Sequence, residues 1–316
     1  METITLGQNG PSVKPLCIGT WAWGDKFFWS YGKDYGVEQV REAFKASLEA
    51  GINFFDTAEV YGMGLSETLL GQFMQETGQY VQIATKYGPM PWRFFGSSVA
   101  DALTASLKRL QAERVPLYQV HWSFAFFMSQ ETLMNALADE VQRGRIQAVG
   151  VSNYSADQMR DAHQILAKRG VPLAVNQVNY SLLTRKIESN GVFDTARNLG
   201  VTILAYSSLA QGLLTGKYTA SGNINPEGAR KIDPRFKKDG LNKIEPVISL
   251  LRQVGDKHGR TPAQVALNWL IAKGNVIPIA GAKTAEQVRQ NAGALGWKIS
   301  DEEFNQIEEI TRPWLK

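Results

Sequence analysis

Four polar residues stand at or just after the ends of short apolar runs of this 316-residue chain, and together they could deliver a proton to a carbonyl oxygen. Asp56 closes Ile52-Asn-Phe-Phe-Asp, Lys86 closes Val81-Gln-Ile-Ala-Thr-Lys, and His121 closes Leu117-Tyr-Gln-Val-His; Tyr61 follows Asp56 by five residues. A phenol is a poor acid at neutral pH, but an ammonium beside it favours the phenolate and lowers its pKa. A carboxylate at Asp56 would hold that ammonium in place and charged. Taken singly, each residue has a plainer reading: Asp56-Thr57 can cap a turn, Lys86 can snorkel from a strand end, and Tyr61 can lie on a loop surface. Taken jointly, on successive runs, they mark a site. His163 and His258, the other two histidines, fall in helical patterns where solvation is expected. No second His, Cys or carboxylate stands at metal-ligand spacing, so no metal is expected. Nucleophile-elbow, phosphate-loop and H-E-x-x-H motifs are absent, and Cys17, inside an apolar run, reads as core.

The elements that must position these residues alternate. Apolar runs at 15–20, 52–56, 81–86, 117–122, 146–151, 173–178, 201–205 and 275–279 are separated by helical patterns, among them 37–50, 66–75, 99–110, 130–143, 155–169 and 187–199. Glycines 51, 170 and 200 end helices, and Ser155-Ala-Asp-Gln opens one as a capping box. Gln8-Asn-Gly10 turns an N-terminal hairpin. Eight parallel strands alternating with helices predict an α/β fold, a (β/α)8 TIM barrel, as one domain over 1–316. The rival, an open doubly wound sheet, lacks its G-x-G-x-x-G turn after the first strand; Gly62-Met-Gly64-Leu-Ser-Glu67 follows the second and misses the third glycine. A barrel brings the strand ends to one mouth. Residues 207–242 form a long loop of the kind that is usually functional, and 300–312 form an extra C-terminal helix.

Hydrophobic content of 44% with 20% charged residues describes a globular protein with a full core. No apolar run reaches the ~18 residues of a membrane span, and the N-terminus lacks the pattern of a secretory signal. One cysteine allows no intrachain disulfide, so a reducing, cytoplasmic setting is expected. A net charge of +4, spread along the chain, does not call for nucleic acid or a membrane surface as partner; it suits a phosphorylated small molecule. Nothing in the sequence fixes an oligomeric state.

Ordered motifs run through the whole chain: Gly19-Thr-Trp, Phe55-Asp-Thr-Ala-Glu-Val-Tyr61-Gly, Ala84-Thr-Lys86, Leu117-Tyr-Gln-Val-His-Trp122, Val149-Gly-Val-Ser-Asn153-Tyr, Asn176-Gln-Val-Asn-Tyr180, Ala205-Tyr-Ser-Ser-Leu209, and Ile279-Ala-Gly-Ala-Lys-Thr284 through Asn291. With these the chain resembles the aldo-keto reductases, in the style of the bacterial and plant branch that includes potassium-channel β-subunits, with cyanobacterial and plastid members nearest. The resemblance implies NADPH-dependent reduction of aldehydes or ketones, with Tyr61 as general acid, Lys86 lowering its pKa, Asp56 pairing with Lys86 and His121 orienting the carbonyl. It implies NADPH/NADP+ contacts as well. Ser152, Asn153 and Gln177 would hold the carboxamide and Tyr206 would stack on the nicotinamide. Ser207, Leu209, Gln211, Gly212 and Lys217 would fold over the pyrophosphate. Lys283 and Thr284, helped by Arg230, would take the 2′-phosphate, and Gln287, Gln290 and Asn291 would take the adenine end. Gly19, Thr20, Trp21 and Gly281, together with Asp56, complete that set. Three positions depart from the usual pattern: Ser123 and Ser208 replace proline, which would loosen their loops, and Gln290 replaces glutamate.

Aromatic residues crowd the segments after strands one, three and four: Trp21, Trp23, Phe27, Phe28, Trp29, Trp92, Phe94, Phe95, Trp122, Phe124 and Phe126. About half should be core; Trp23, Trp29, Trp92 and Trp122 are expected to wall an apolar substrate pocket. Small or aromatic aldehydes and dicarbonyls such as methylglyoxal fit such a wall, with detoxification of reactive carbonyls as the role. A pyridoxal reductase, or an NADP(H)-binding redox-sensing subunit with slow turnover, are the alternatives.

Overall fold

A computed structural model describes residues 3–316 apart from 125–126, 223–225 and 227; the side chains of 228 and 229 are also left aside. Phe126 lies outside the described residues. The hairpin forms from β1 (Ile4–Thr5) and β2 (Ser12–Val13), paired antiparallel. Eight further strands follow: β3 (Cys17–Gly19), β4 (Phe54–Asp56), β5 (Gln82–Tyr87), β6 (Val115–Val120), β7 (Ile146–Ser152), β8 (Leu173–Asn179), β9 (Thr202–Tyr206) and β10 (Val276–Gly281). They pair in parallel in chain order, and β10 closes on β3, so the expected (β/α)8 barrel is the fold.

Period-two alternation sorts the strand residues. Phe54, Ala84, Leu117, Val175, Leu204 and Ile277 point into the barrel and form one apolar cluster with Cys17. Two residues further along four of those strands, the inward positions turn polar at Asp56, Lys86, Gln119 and Gln177. Gly150 of β7 takes the inward place beside Gln119, where a Cβ would lie 2.4 Å from Val175 Cγ2 and 2.9 Å from Gln119 Cγ. The hairpin covers the opposite end. Leu6 and Val13 belong to the inner cluster, and the Gly7 N–H donates to Thr202 Oγ1 at the start of β9 over 3.0 Å.

The outer layer is α1 (Val37–Glu49), α2 (Leu65–Thr77), α3 (Ser97–Leu110), α4 (Gln130–Gln142), α5 (Ala156–Ala167), α6 (Val192–Leu199), α7 (Lys238–His258), α8 (Pro262–Ala272), α9 (Ala285–Ala292) and α10 (Asp301–Ile310). Ser155 caps α5 through the expected box, and Ser300 with Glu303 does the same for α10. The helix expected over 187–199 is shorter. Lys186–Glu188 forms a 3-10 turn, and Gly191, at φ 82°, interrupts the chain before α6. The long loop carries 3-10 turns at Ala210–Thr215, Gly228–Ile232 and Pro234–Phe236, and α7 begins inside the span assigned to it. His258 is not simply solvated: its Nε2 lies 2.9 Å from the Glu303 carboxylate and its ring 4.9 Å from that of Trp297. Among the described residues, no helix is long and apolar enough to cross a membrane.

Candidate active site

At the polar end of the barrel, Lys86 is fully buried and uses each of its three ammonium hydrogens. Nζ donates to Asp56 Oδ2 at 2.7 Å, to the Thr57 carbonyl at 2.8 Å and to Tyr61 Oη at 3.1 Å. The other carboxylate oxygen, Asp56 Oδ1, accepts from Gln177 Nε2 at 2.7 Å and from Gln119 Nε2 at 3.4 Å, while Gln177 also donates to Gln119 Oε1 at 3.3 Å. The buried charges are therefore paired and hydrogen-bonded, the condition under which an interior ion pair is tolerated.

Backbone bonds hold Tyr61 over this pair. The Thr57 N–H donates to the Ala84 carbonyl of β5 at 2.8 Å, and the Tyr61 N–H donates to the Ala58 carbonyl at 3.0 Å. Gly62 follows at φ 55°, so close to Gly24 that a Cβ would lie 2.8 Å from its carbonyl carbon and oxygen. The segment is also tied sideways: Glu59 accepts from the Gly88 N–H at 2.6 Å and binds both terminal nitrogens of Arg93, whose guanidinium also reaches the Gly88 carbonyl. The loops after β4 and β5 are thus clamped to each other.

Electrostatics follow the geometry. Burial alone would pull the Lys86 pKa down, but Asp56 and Tyr61 outweigh it and hold the ammonium above the ordinary lysine value. Burial raises the Tyr61 phenol; Lys86 pulls it down, as expected, yet less than burial lifts it, so the net direction is upward. Burial, assisted by Lys86, drives the His121 imidazole down to about 3. His121 sits edge-on to Tyr61, ring centroids 5.6 Å apart, and its Nδ1 is buried with no partner among the described residues.

The residues expected to hold a carboxamide also meet here. Ser152 Oγ donates to the Gln177 carbonyl at 3.0 Å, Asn153 Nδ2 donates to Ser152 Oγ at 3.1 Å, and Tyr206 Oη donates to Asn153 Oδ1 at 3.0 Å. Ser207 and Gln211 hold left-handed backbone at φ 52° and 57°, beside Leu209 and Gly212. Ser208, expected to loosen the loop, instead ties it to β10 by donating to the Ile279 carbonyl at 2.8 Å. Lys217 is exposed, its ammonium 4.9 Å from the Tyr218 ring. Beyond Gly281, Thr284 caps α9, Gln287 accepts from the Lys283 N–H at 2.7 Å, Asn291 reaches the Gly281 carbonyl at 3.4 Å, and Gln290 bonds Glu286 at 2.9 Å. Gly19 closes against β10, where a Cβ would lie 2.9 Å from Ile279 Cγ2. Among the described residues, no group of three or more His, Cys, Asp or Glu side chains could hold a metal ion.

Three aromatic or cofactor assignments change, those of Trp23, Thr20 and Trp29. Trp23 is fully buried beneath the mouth, against Phe55 and Phe73, and its indole N–H donates to the Ala282 carbonyl; it cannot wall a pocket. Thr20 is equally buried. Its hydroxyl bonds the Asp56 carbonyl at 2.9 Å and Ser66 Oγ at 2.7 Å, so it braces the strand ends and has no surface to offer a cofactor. Trp21, grouped with the cofactor, lies 6.3 Å from the Tyr61 ring, while Trp29, grouped with the substrate, has the Arg230 guanidinium carbon 5.2 Å and the Lys283 ammonium 5.0 Å from its ring. Trp92 is 68% exposed at the rim; Trp122 stays by His121 at 4.7 Å. Gln119, Glu59 and Arg93 were not singled out from the sequence. Gln119 could have been found by alternation, since Leu117, Gln119 and His121 share the inward phase.

The family model for aldo/keto reductases matches residues 15–312. The chain belongs to the aldo/keto reductase family. Its relatives include a chloroplastic pyridoxal reductase of Arabidopsis thaliana, 40% identical over 314 residues, which cover 95% of this chain and 84% of that protein. An uncharacterized oxidoreductase of Mycobacterium tuberculosis is 35% identical, across 99% of this chain and 92% of its own length. Among solved structures, the glycerol dehydrogenase of Gluconobacter oxydans superposes with a TM-score of 0.86 at 28% identity, covering 99% of this chain and 96% of that one. As a member of the family, the chain is an oxidoreductase.

Proposed function

We propose that this reductase converts aldehydes to alcohols with NADPH, taking aromatic or small reactive carbonyls at the mouth, with Tyr61 as the proton donor. The observation that carries the reading is the Lys86–Tyr61 contact at 3.1 Å above the Asp56 pair. Because Lys86 donates to Tyr61 Oη, the phenolic proton is directed away from Lys86 and toward the open mouth. Bound NADPH would supply the hydride. As charge grows on the carbonyl oxygen, the Tyr61 O–H and a neutral His121 donate to it, and donors aimed there act chiefly in the transition state. Burial of Nδ1 without an acceptor favours the tautomer with its proton on Nε2, since a buried lone pair costs less than a buried unpaired N–H.

The donor set fits the dinucleotide. Both amide hydrogens of Gln177 are engaged by Asp56 and Gln119, which leaves its carbonyl oxygen to accept from a carboxamide next to Asn153 and Ser152. The Tyr206 ring, fixed by Asn153, suits stacking. Lys283 and Arg230 supply positive charge for a 2′-phosphate, which argues for NADPH over NADH.

Pyridoxal is the second reading, favoured by the Arabidopsis relative and by the Trp21 and Trp122 rings flanking Tyr61 and His121. Loss of NADPH absorbance with pyridoxal, methylglyoxal and a nitrobenzaldehyde tests both readings. Tyr61→Phe should lower kcat by at least about a hundredfold, within the range general acids contribute. An unchanged rate in that variant removes Tyr61 from its role.

A further inference from the structure

Three segments distant in the chain meet on one indole. Trp29, in the connection between β3 and α1, has the Arg230 guanidinium carbon 5.2 Å from its ring centroid and the Lys283 ammonium 5.0 Å from it. The same ammonium lies 3.4 Å from the Trp29 carbonyl oxygen and 4.4 Å from the Tyr35 ring. Arg230 is also held by its stem, Nε donating to the Gln211 carbonyl at 2.9 Å. The edge of Trp29 contributes no hydrogen bond: Nε1 is buried with no acceptor among the described residues. Trp21 meets the ring at 86° with centroids 5.4 Å apart, so the ring is gripped by packing while it attracts two cations.

Two like charges on long side chains repel and, left alone, would spread into solvent. A ring quadrupole attracts each of them and offsets that tendency, more strongly where water is excluded. The pair is then gathered before any anion arrives. Two cations held on one ring match a phosphate monoester, which carries close to two charges and three acceptor oxygens, better than a diester with one charge.

We propose that Trp29 is a specificity-determining residue for the cofactor: its indole assembles Lys283 and Arg230 into a two-cation receptor for a ribose phosphate monoester. The inference rests on the NADP(H) reading above and extends it, because it assigns the discrimination between phosphorylated and unphosphorylated dinucleotides partly to an uncharged loop residue. The loop after β3 then serves two ends of the site, since Trp21 lies beside Tyr61 and Trp29 beside the cations.

Calorimetric titration of the full-length protein with NADPH, NADH and adenosine 2′,5′-bisphosphate tests it, using wild type, Trp29→Leu, Trp29→Phe and Lys283→Ala. Trp29→Leu should weaken NADPH and the bisphosphate about tenfold and NADH less than about twofold, the size expected from loss of the ring's hold on two cations. Trp29→Phe keeps a π face and should stay within about threefold of wild type. Equal weakening of NADPH and NADH by Trp29→Leu, no change in NADPH, or a loss in Trp29→Phe as large as in Trp29→Leu would each overturn the proposal. The underlying reading fails separately. If Lys283→Ala leaves the NADPH-to-NADH ratio unchanged, no phosphate receptor exists there; if it lowers the ratio while Trp29→Leu does not, only the role of Trp29 falls.

Discussion

His121 is a neutral group by construction. Burial and the Lys86 charge both oppose a second proton, and they bring its pKa from 6.5 to about 3. For catalysis this means that no ionisation of His121 intervenes between pH 5 and 8. The kcat/KM profile for carbonyl reduction should be flat there, and an acid limb near 6.5 that disappears in His121→Asn would contradict a neutral imidazole. For stability the sign is fixed by linkage. The folded pKa is depressed, so the unfolded chain binds a proton that the folded protein refuses, and stability is lost as pH falls from about 6.5 toward 3. Urea unfolding of His121→Asn should show a shallower loss over that window. Lys86 has the opposite sense: its folded value is raised, so its contribution is intact below 10.5 and is lost only as the solution turns strongly alkaline. At this scale Asp56, Lys86 and His121 were readable from the sequence because each closes an apolar run, and Tyr61 because it follows Asp56 by five residues. Gln119, buried beside Asp56, was not read, and Thr20, which braces the Asp56 carbonyl, was read as a cofactor contact, since an amide and a hydroxyl carry no chemistry until their partners are known.

Strands and helices differ in how openly they announce themselves. All eight barrel strands lie where apolar runs predict them, because strands buried on both faces must be apolar almost throughout. The helix over 187–199 was misjudged because its amphipathic pattern continues across Asn190-Gly191, where a left-handed glycine interrupts the backbone. Trp23 and Trp29 were misplaced for a related reason: neighbours in an irregular connection share no periodicity, so sequence alone does not say which indole turns toward the core and which toward the cations. The connection after β4 shows what such a segment must satisfy. Gly62 combines a positive φ with contact against the Gly24 backbone, and Tyr61 immediately precedes it. In Gly62→Ala the new Cβ would meet Gly24 at 2.8 Å and disfavour φ 55°, so the turn must shift and move the phenol relative to Lys86. Stability should fall by more than ~1 kcal/mol and kcat by about tenfold or more, consistent with the sensitivity of catalysis to small misplacements. Cofactor affinity read by calorimetry should change little. A variant with wild-type kcat would show that the turn does not set the position of Tyr61.

The whole molecule divides its labour between the two ends of the barrel. Inward-facing residues are apolar from Cys17 and Phe54 through Leu117 and Leu204, and charged and amide side chains join them in the last layer before the mouth. That polar layer would be costly in an interior without partners, and the Asp56 and Lys86 charges are paired with each other, with Gln119 and Gln177 and with neighbouring backbone. The other end has no comparable chemistry and is sealed by the hairpin. Its turn could be read from Gln8-Asn-Gly10, but its task could not, because Leu6 and Val13 gain their meaning from Ala174, Val175 and Leu204, which lie far along the chain. Leu6 is completely buried in this plug. Replacing it by alanine removes apolar contacts and leaves a cavity at the closed end, a change that typically costs 2–5 kcal/mol, or roughly 2–4 °C of Tm for each kcal/mol in domains of about 150–250 residues. The mouth lies at the opposite end of the barrel from the hairpin. Leu6→Ala should therefore melt several degrees lower while keeping kcat and KM within about twofold at a temperature where it remains folded, as expected when stability and catalysis occupy opposite faces. A matching fall in kcat would mean that strain introduced at the plug travels the length of the barrel to the Asp56–Lys86 pair.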